Sequence, residues 1–298
     1  MKHFLEISQL SCDEAMGLVT RALWFKDAST YPTYTRRVLA NLFYENSTRT
    51  RISFELAAKN LGLSVVNVDV KHSSESKGEV ITDTIKTLAS MGVHVAVIRH
   101  GDEGLPQAIA KAAFAAISVI NAGDGMYAHP TQAMLDLMTM VEQKPQFPDV
   151  KIAVVGDIKH SRVANSLRAL CALFQVRELM FVAPKQWLPL VSTNVQTSSS
   201  LQEGLMDADV VMPLRVQRER IAVLDHMDEA RYRCDYAITP ATLAYAKPDA
   251  IVMHPGPLNR GIEIESDVAD GPQSKIWNQV QNGVFMRMAI VEHLIRKQ

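Results

Sequence analysis

Short apolar runs alternate with longer amphipathic stretches along most of the chain. The runs are rich in Val, Ile and Ala with little polar alternation, which is typical of strands buried on both faces. Strands are predicted at Val38–Tyr44, Ser64–Val70, Val93–Arg99, Ser118–Ala122, Lys151–Gly156, Glu178–Val182, Val210–Leu214 and Ile251–His254. Helical patterns lie between them at Thr50–Leu61, Pro106–Ala116, Pro130–Glu142 and Arg162–Leu173. This alternation predicts an α/β fold of parallel sheets flanked by helices.

The polar, proline-containing stretch Gln143–Asp149 separates two such series of strands and helices. A chain of 298 residues is long enough for two domains of ordinary size. We therefore predict two doubly wound domains, residues 1–134 and 135–281, with the active site in the cleft between them. The last helix, about residues 282–298, is expected to pack back on the first domain.

The overall charge and the cysteines exclude several classes of protein. The formal net charge is −1 and the pI is about 6.8, so nothing attracts the whole chain to nucleic acid or to an acidic membrane. No apolar run reaches the roughly 18 residues that a membrane span needs, and the N-terminus lacks the apolar core of a signal peptide. The three cysteines, Cys12, Cys171 and Cys234, have no disulfide or zinc-site spacing. A cytoplasmic protein without a metal site is expected.

The segment Glu45–Arg51 follows the first predicted strand and opens a helix. Ser47 or Thr48 suits the N-cap, and capping alone is the simpler interpretation. However, Arg49 and Arg51 oppose the helix dipole, which costs up to about 1 kcal/mol for each. A bound phosphate would offset that cost, because backbone N–H groups, hydroxyls and a guanidinium would all point at it. The GxxxxGK[ST] loop of nucleotide-binding proteins is absent.

A second polar group follows two later strands. Arg99 ends one predicted strand, and His129 and Gln132 open the helix that begins at Pro130. Taken alone, His129 could be a helix cap and Arg99 a solvated strand end. Together, at the carboxyl ends of parallel strands, they fit a ligand site. Near a positive helix terminus His129 should stay neutral and donate to a carbonyl oxygen.

The second half of the chain carries arginines after separate strands, among them Arg162 and Arg215. Forked guanidinium groups bind carboxylates strongly, which suggests an acidic substrate. Surface charge is the alternative interpretation. The loop before Arg162 lacks GxGxxG, so a dinucleotide is not expected.

Four segments resemble the aspartate and ornithine carbamoyltransferases. Phe43–Glu55 is similar to their carbamoyl-phosphate signature, and His129–Gln132 fits the same family. The Ser-rich, Lys-Gly loop at Lys71–Glu79 and the turn His254–Gly261 resemble the aspartate branch, whereas ornithine enzymes lack the Ser/Lys contribution. Asn46 and Gly256 depart from one branch of the family.

The resemblance implies a complete set of site residues. For carbamoyl phosphate these are Ser47, Thr48, Arg49, Thr50, Ser73, Lys77, Arg99, His129 and Gln132, of which Thr50, Arg99 and His129 polarise the carbonyl group. For aspartate they are Lys77, Arg162, Arg215, Gln217, Gly256 and Pro257. Glu45 and Arg220 would link the domains on closure. Ser73 and Lys77 would enter a neighbour's site, which implies a homotrimer with shared active sites.

The implied reaction transfers the carbamoyl group of carbamoyl phosphate to L-aspartate, in de novo pyrimidine biosynthesis. No metal or organic cofactor is expected. Two alternatives stay open: an ornithine-type carbamoyltransferase, and a non-catalytic anion-binding subunit of the same fold. The sequence also leaves open a regulatory chain or a dihydroorotase partner, while neither nucleic acid nor a membrane is an expected partner.

Overall fold

The computed structural model describes residues 1–70, 78–112, 117–189, 194–216 and 228–298. They form two compact units, Met1–Met138 with Val280–Gln298, and Thr139–Gln279. The sequence-predicted site residues Ser73, Lys77, Gln217 and Arg220 lie outside the described residues.

Unit 1 is built on a parallel sheet, of which the described residues form four strands. Its strands are β1 (Val38–Phe43), β2 (Ser64–Val68), β3 (Val95–His100) and β4 (Ser118–Asp124), in the order β2-β1-β3-β4. Leu42, Ile98 and Val119 lie in its apolar core. The expectation of burial on both faces is wrong for β2, where Val66 is exposed. Among the described strands, this one is at the sheet edge and pairs with β1 alone.

The helices of unit 1 differ in how their N-termini are capped. They are α1 (Cys12–Asp27), α2 (Thr48–Asn60), α3 (Ile81–Ser90), α4 (Leu105–Ala112) and α5 (Pro130–Gln143), of which α5 continues past the unit boundary. Ser11 and Glu14 form a capping box at α1, which satisfies two backbone donors of the first turn. The observed start of α5 at Pro130 agrees with the preference of proline for the first helical position.

Unit 2 contains a parallel sheet with five strands in the part of the chain that the structure describes. Its strands are β5 (Lys151–Val155), β6 (Glu178–Val182), β7 (Gln196–Ser198), β8 (Val210–Pro213) and β9 (Ile251–Val252), in the order β7-β6-β5-β8-β9. Its helices are α6 (Arg162–Leu173), α7 (Leu201–Leu205), α8 (Glu229–Tyr236), α9 (Pro240–Leu243) and α10 (Ser266–Ala269). The sequence did not predict β7, because its three residues are all polar and carry no apolar signal.

The final helix, α11 (Ile276–Ile295), begins six residues before the predicted Asn282. From Val280 onward its residues belong to unit 1. There Glu292 binds Arg21 of α1 through two hydrogen bonds of 2.6 and 2.7 Å, and accepts a third from Tyr34 at 2.8 Å. These contacts fasten the chain terminus to the first helix. None of the described helices is long and apolar enough to span a membrane.

Candidate active site

Arg99 is held at the carboxyl edge of the unit 1 sheet from two sides. It pairs with Phe43 in the register of β1 and β3, and its Nε lies 3.3 Å from Glu45 Oε2. Its guanidinium also donates to the Ala122 carbonyl at 3.3 Å. Anchored by the loop after β1 and by β4, the guanidinium has a fixed position at the strand ends.

The start of α2 presents positive charge and hydroxyl groups. Ser47 occupies the N-cap in an extended conformation but makes no side-chain capping hydrogen bond, and the first turn contains no acidic residue. Thr48 and Arg49 are exposed, whereas Thr50 is buried. A helix N-terminus with exposed N–H groups, uncommitted hydroxyls and an arginine is suited to an anion.

His129 lies at the start of α5. Its carbonyl accepts from the N–H groups of Gln132 at 3.0 Å and Ala133 at 3.2 Å, and its side chain is buried. The loop before it is fixed by Asp124, whose carboxylate accepts from the backbone of Ala128 at 3.0 Å and of Gly104 at 3.2 Å. Burial raises the pKa of Asp124, although these hydrogen bonds oppose the shift. Hydrogen bonds on both sides of His129 therefore hold the backbone that carries the imidazole.

Gln132 makes a side-chain hydrogen bond that the sequence analysis missed. Its Nε2 donates to Asp136 Oδ1 at 2.8 Å, one helical turn later, and both side chains are buried. The spacing of four residues on a predicted helix is a signal that could have revealed this pair.

In unit 2, Arg162 is the first residue of α6 and is almost completely buried. The preceding turn is held by Asp157, whose Oδ1 lies 2.6 Å from His160 Nδ1 and accepts from the His160 N–H at 3.3 Å. Gly156 opens that turn with φ +118°, and a Cβ there would come within 2.6 Å of the Tyr232 hydroxyl. Only glycine suits this position, so the turn geometry is strongly constrained.

The turn after β9 is organised by a buried His–Glu pair. His254 Nδ1 accepts from the Gly256 N–H at 2.8 Å, so the ring proton is on Nε2, which lies 3.2 Å from Glu263 Oε1. The same oxygen accepts from the Asn259 N–H at 2.5 Å. The Gly256–Pro257 peptide is cis, as the sequence allowed. Sequence reasoning missed Glu263, which lies in a polar loop with no periodic pattern.

Strand order decides which predicted residues share an edge. In unit 1, Glu45 and Arg99 are in direct contact, and the segments with Ser47–Thr50 and with His129 and Gln132 follow the carboxyl ends of β1 and β4. In unit 2, Arg162, Arg215 and the Gly256–Pro257 turn follow β5, β8 and β9, three consecutive strands of one parallel sheet. Ligands bind at this edge in open α/β sheets. Within the described part of the chain, no three His, Cys, Asp or Glu side chains cluster as metal ligands.

Comparison with known proteins gives matches over nearly the whole chain. Residues 2–142 match the aspartate/ornithine carbamoyltransferase carbamoyl-P binding domain, and residues 148–294 match the Asp/Orn binding domain of the same family. The chain is 56% identical over 295 residues to an aspartate carbamoyltransferase catalytic subunit of Legionella pneumophila, covering 99% of both proteins. It is 45% identical over 297 residues to that of Coxiella burnetii, covering 97% of this chain and 95% of the relative.

Solved structures agree with these matches. Aspartate transcarbamoylase from Trypanosoma cruzi, in complex with carbamoyl aspartate and phosphate, superimposes with a TM-score of 0.87 at 32% identity, covering 97% of this chain and 94% of the other. Ornithine carbamoyltransferase from Thermus thermophilus gives the same TM-score of 0.87 at 25% identity, covering 99% of each chain. The backbone alone thus does not separate the two branches. The chain belongs to the aspartate/ornithine carbamoyltransferase family.

Proposed function

We propose that this protein is the catalytic chain of an aspartate carbamoyltransferase, which converts carbamoyl phosphate and L-aspartate into N-carbamoyl-L-aspartate and phosphate in de novo pyrimidine biosynthesis. The observation that carries the proposal is the start of α2, where Ser47, Thr48 and Arg49 lie at an N-terminus without a side-chain cap. Glu45, which follows the same strand, forms an ion pair with Arg99. The likeness to aspartate carbamoyltransferase catalytic subunits at 45–56% identity supports aspartate as the acceptor.

Unit 1 supplies the site for carbamoyl phosphate. The phosphate is bound by the hydroxyls and N–H groups of Ser47–Thr50 and by the Arg49 guanidinium, all at the positive end of the helix dipole. Thr50, Arg99 and His129 donate hydrogen bonds to the carbamoyl oxygen. Gln132 binds the carbamoyl NH₂.

Unit 2 supplies the site for aspartate. Arg162 and Arg215 bind its two carboxylates, and backbone carbonyls of the Gly256–Pro257 turn contact its amine. Gln217, which lies outside the described residues, assists in this role. Ornithine carries an ammonium group in place of the side-chain carboxylate, so a pocket built on Arg215 disfavours it electrostatically.

Carbamoyl phosphate binds first and aspartate second. The neutral amine of aspartate attacks the carbonyl carbon, and the negative charge that develops on the carbonyl oxygen is stabilised by the donors on Thr50, Arg99 and His129. Each such donor contributes about 2.7–4 kcal/mol to lowering the barrier. The tetrahedral intermediate collapses by breaking the bond to phosphate, and the departing phosphate accepts the amine proton. Positioning and electrostatics suffice for this reaction, and no metal or organic cofactor takes part.

We propose a homotrimer in which Ser73 and Lys77 of one chain complete the site of the next. Supporting this, the edge strand β2 exposes Val66, and the neighbouring helix α2 exposes Ile52 and Leu56. An unpaired strand edge beside apolar side chains is a common site of association. Mixing Lys77→Ala chains with Arg49→Ala chains should restore activity, because some hybrid sites escape both substitutions. Mixtures as inactive as the separate variants would contradict shared sites.

Further assignments rest on the same proposal. Glu45 and Arg220 link the two domains when substrates are bound. A cytoplasmic location fits the three cysteines, none of which forms a disulfide. The related proteins are described as catalytic subunits, which makes a regulatory chain or a dihydroorotase a reasonable partner to search for by sedimentation in cell extract.

Turnover with two acceptors tests the proposal. Purified protein is incubated with ¹³C-labelled carbamoyl phosphate and either L-aspartate or L-ornithine, and the products are separated by mass spectrometry. Labelled N-carbamoyl-L-aspartate is the expected product. Citrulline instead would identify the ornithine branch, and no product from either acceptor would favour a non-catalytic anion-binding subunit.

A further inference from the structure

The amide of Gln132 is held by the carboxyl group of a buried residue. Its Nε2 lies 2.8 Å from Asp136 Oδ1, and Asp136 has no exposed surface. An ionised carboxylate has only acceptor atoms, so it binds the NH₂ end of the amide and never the carbonyl end. The carbonyl oxygen of Gln132 must then point away from Asp136. Among the described residues, this is the one side-chain hydrogen bond of Gln132.

We propose that Asp136 is a positioning residue that makes the site selective for a carbamoyl group, by orienting the Gln132 amide so that its carbonyl oxygen receives the carbamoyl NH₂. The inference rests on the proposed function and goes beyond it. Gln132 touches the substrate, whereas Asp136 acts through Gln132. Without this partner the amide can rotate by 180° and present its NH₂ to the substrate NH₂, two donors facing each other.

A buried arginine on the terminal helix completes the arrangement. Arg287 of α11 is buried, donates to the Gly283 carbonyl at 3.0 Å and lies 5.1 Å from the centroid of the Phe54 ring. A Cβ at Gly283 would come within 2.6 Å of the Arg287 guanidinium, so the glycine makes room for it. Burial lowers the pKa of Arg287 to about 10, and the charge of Asp136 opposes that shift. The arginine is thus still charged at neutral pH and attracts the carboxylate.

The ring contact of Arg287 and its electrostatic attraction to Asp136 link three elements of unit 1. Phe54 belongs to α2, whose first turn is the proposed phosphate site, and Asp136 belongs to α5, which carries Gln132. Arg287 therefore supports the phosphate helix through its ring contact and the carbamoyl-binding helix through its charge. Gln132 and Asp136 are too deeply buried for solvent to replace either partner of their hydrogen bond, so the amide orientation is fixed before substrate binds.

The Gln132 amide, oriented by Asp136, recognises the NH₂ of the carbamoyl group. Acetyl phosphate has nearly the same shape but carries a methyl group there, which cannot donate to the Gln132 carbonyl. A buried acceptor facing a methyl group is left without a partner, which penalises the analogue. Inorganic phosphate lacks the group altogether and reports on the start of α2 alone.

The test compares Asp136→Asn with the unchanged enzyme. Calorimetric dissociation constants are measured for carbamoyl phosphate, acetyl phosphate and inorganic phosphate. In the variant, the positive charge of Arg287 attracts the Asn oxygen, which turns the Asn NH₂ toward Gln132 and inverts its amide. Carbamoyl phosphate should bind about ten-fold or more weakly, the effect of one lost buried hydrogen bond. The other two constants should change by less than about two-fold, because neither ligand uses that oxygen.

Three further variants separate positioning from a general structural effect. In a Gln132→Met background, Asp136→Asn should cause no additional loss of discrimination. Asp83→Asn, which removes an exposed carboxylate paired with Lys86, is the matched control and should bind all three ligands normally. If Asp136→Asn does not fold, Asp136→Leu with Arg287→Met removes both buried charges and should show the same loss.

The outcomes distinguish this inference from the proposed function. Equal weakening of all three ligands, or an unchanged preference for carbamoyl over acetyl phosphate, would overturn the role of Asp136. Failure of the unchanged enzyme to form N-carbamoyl-L-aspartate would instead overturn the proposed function. Normal turnover together with a selective loss in Asp136→Asn supports both.

Discussion

Replacing Glu263 with alanine removes the acceptor that holds the turn after β9. Glu263 Oε1 receives hydrogen bonds from His254 Nε2 at 3.2 Å and from the Asn259 N–H at 2.5 Å, and the carboxylate has no exposed surface. The buried His254 donor would lose its partner at a cost of about 1–3 kcal/mol, and the partly exposed Asn259 donor at about 1 kcal/mol. We expect unit 2 to lose about 2–4 kcal/mol of unfolding free energy.

The same substitution should affect one substrate only. The Gly256–Pro257 turn is proposed to contact aspartate, so kcat/KM for aspartate should fall, while the dissociation constant of carbamoyl phosphate should be unchanged. Urea denaturation monitored by circular dichroism and steady-state kinetics provide the two measurements. Glu263→Gln keeps an acceptor oxygen and should fall between the two proteins.

A matched control removes the ion-pair partner of Arg260, a residue of the same loop. Arg260 and Asp270 form an exposed ion pair at 2.6 Å, and Asp270→Ala should leave both stability and kinetics unchanged. A Glu263→Ala protein that unfolds at the original urea concentration and keeps its kcat/KM for aspartate would refute the reasoning about this turn.

Three other outcomes are expected. Arg49→Ala should lower kcat/KM at least about a hundred-fold with an unchanged circular dichroism spectrum, since the side chain is exposed and its role is electrostatic; retained activity would contradict the phosphate site. Burial raises the pKa of the Cys171 thiol to about 12, so iodoacetamide at pH 8 should label the native protein only at the two exposed cysteines, as mass spectrometry of digests would show. Burial raises the pKa of Glu292, but hydrogen bonds from Arg21 and Tyr34 outweigh burial and hold this pKa below the usual 4.5. The Glu292 carboxylate therefore stabilises the folded state fully above pH 4.5, and this stabilisation is lost on further acidification. Thermal melts of Glu292→Gln should therefore approach those of the unchanged protein as the pH falls further below 4.5; a difference that stays constant with pH would contradict this.

The sequence pattern alone predicts the bounds of those elements whose physical cause lies within the segment itself. The bounds of β6 and α6 agree with the predicted Glu178–Val182 and Arg162–Leu173, because an apolar run and a helical period each mark a complete element. The sequence pattern predicts too short a last helix. The first turn of this helix contains the polar residues Asn278 and Gln279, and the apolar residues beside them are partly buried and partly exposed, so no clear helical period marks the start. The polar strand β7 left no signal, because it forms only through pairing with β6.

Contacts between distant segments could not be predicted in the same way. The sequence could have predicted the contact of Gln132 with Asp136, since the two residues are four positions apart on one helix. Nothing in the local sequence connects either of them to Arg287, about 150 residues later, because that proximity follows from the packing of α11. The His254–Glu263 pair is similar, since the loop that joins them has no regular geometry. The resemblance to the family identified residues that would touch substrate, while those that hold them in place required the structure.

The proposed binding of both substrates is tested most directly by a crystal structure with a bisubstrate compound that carries a phosphonate joined to an aspartate moiety. We expect one molecule per chain, with the phosphonate on the Ser47–Thr50 segment and the two carboxylates on Arg162 and Arg215. A compound that is bound away from Arg49, or whose carboxylates contact neither of those arginines, would contradict it.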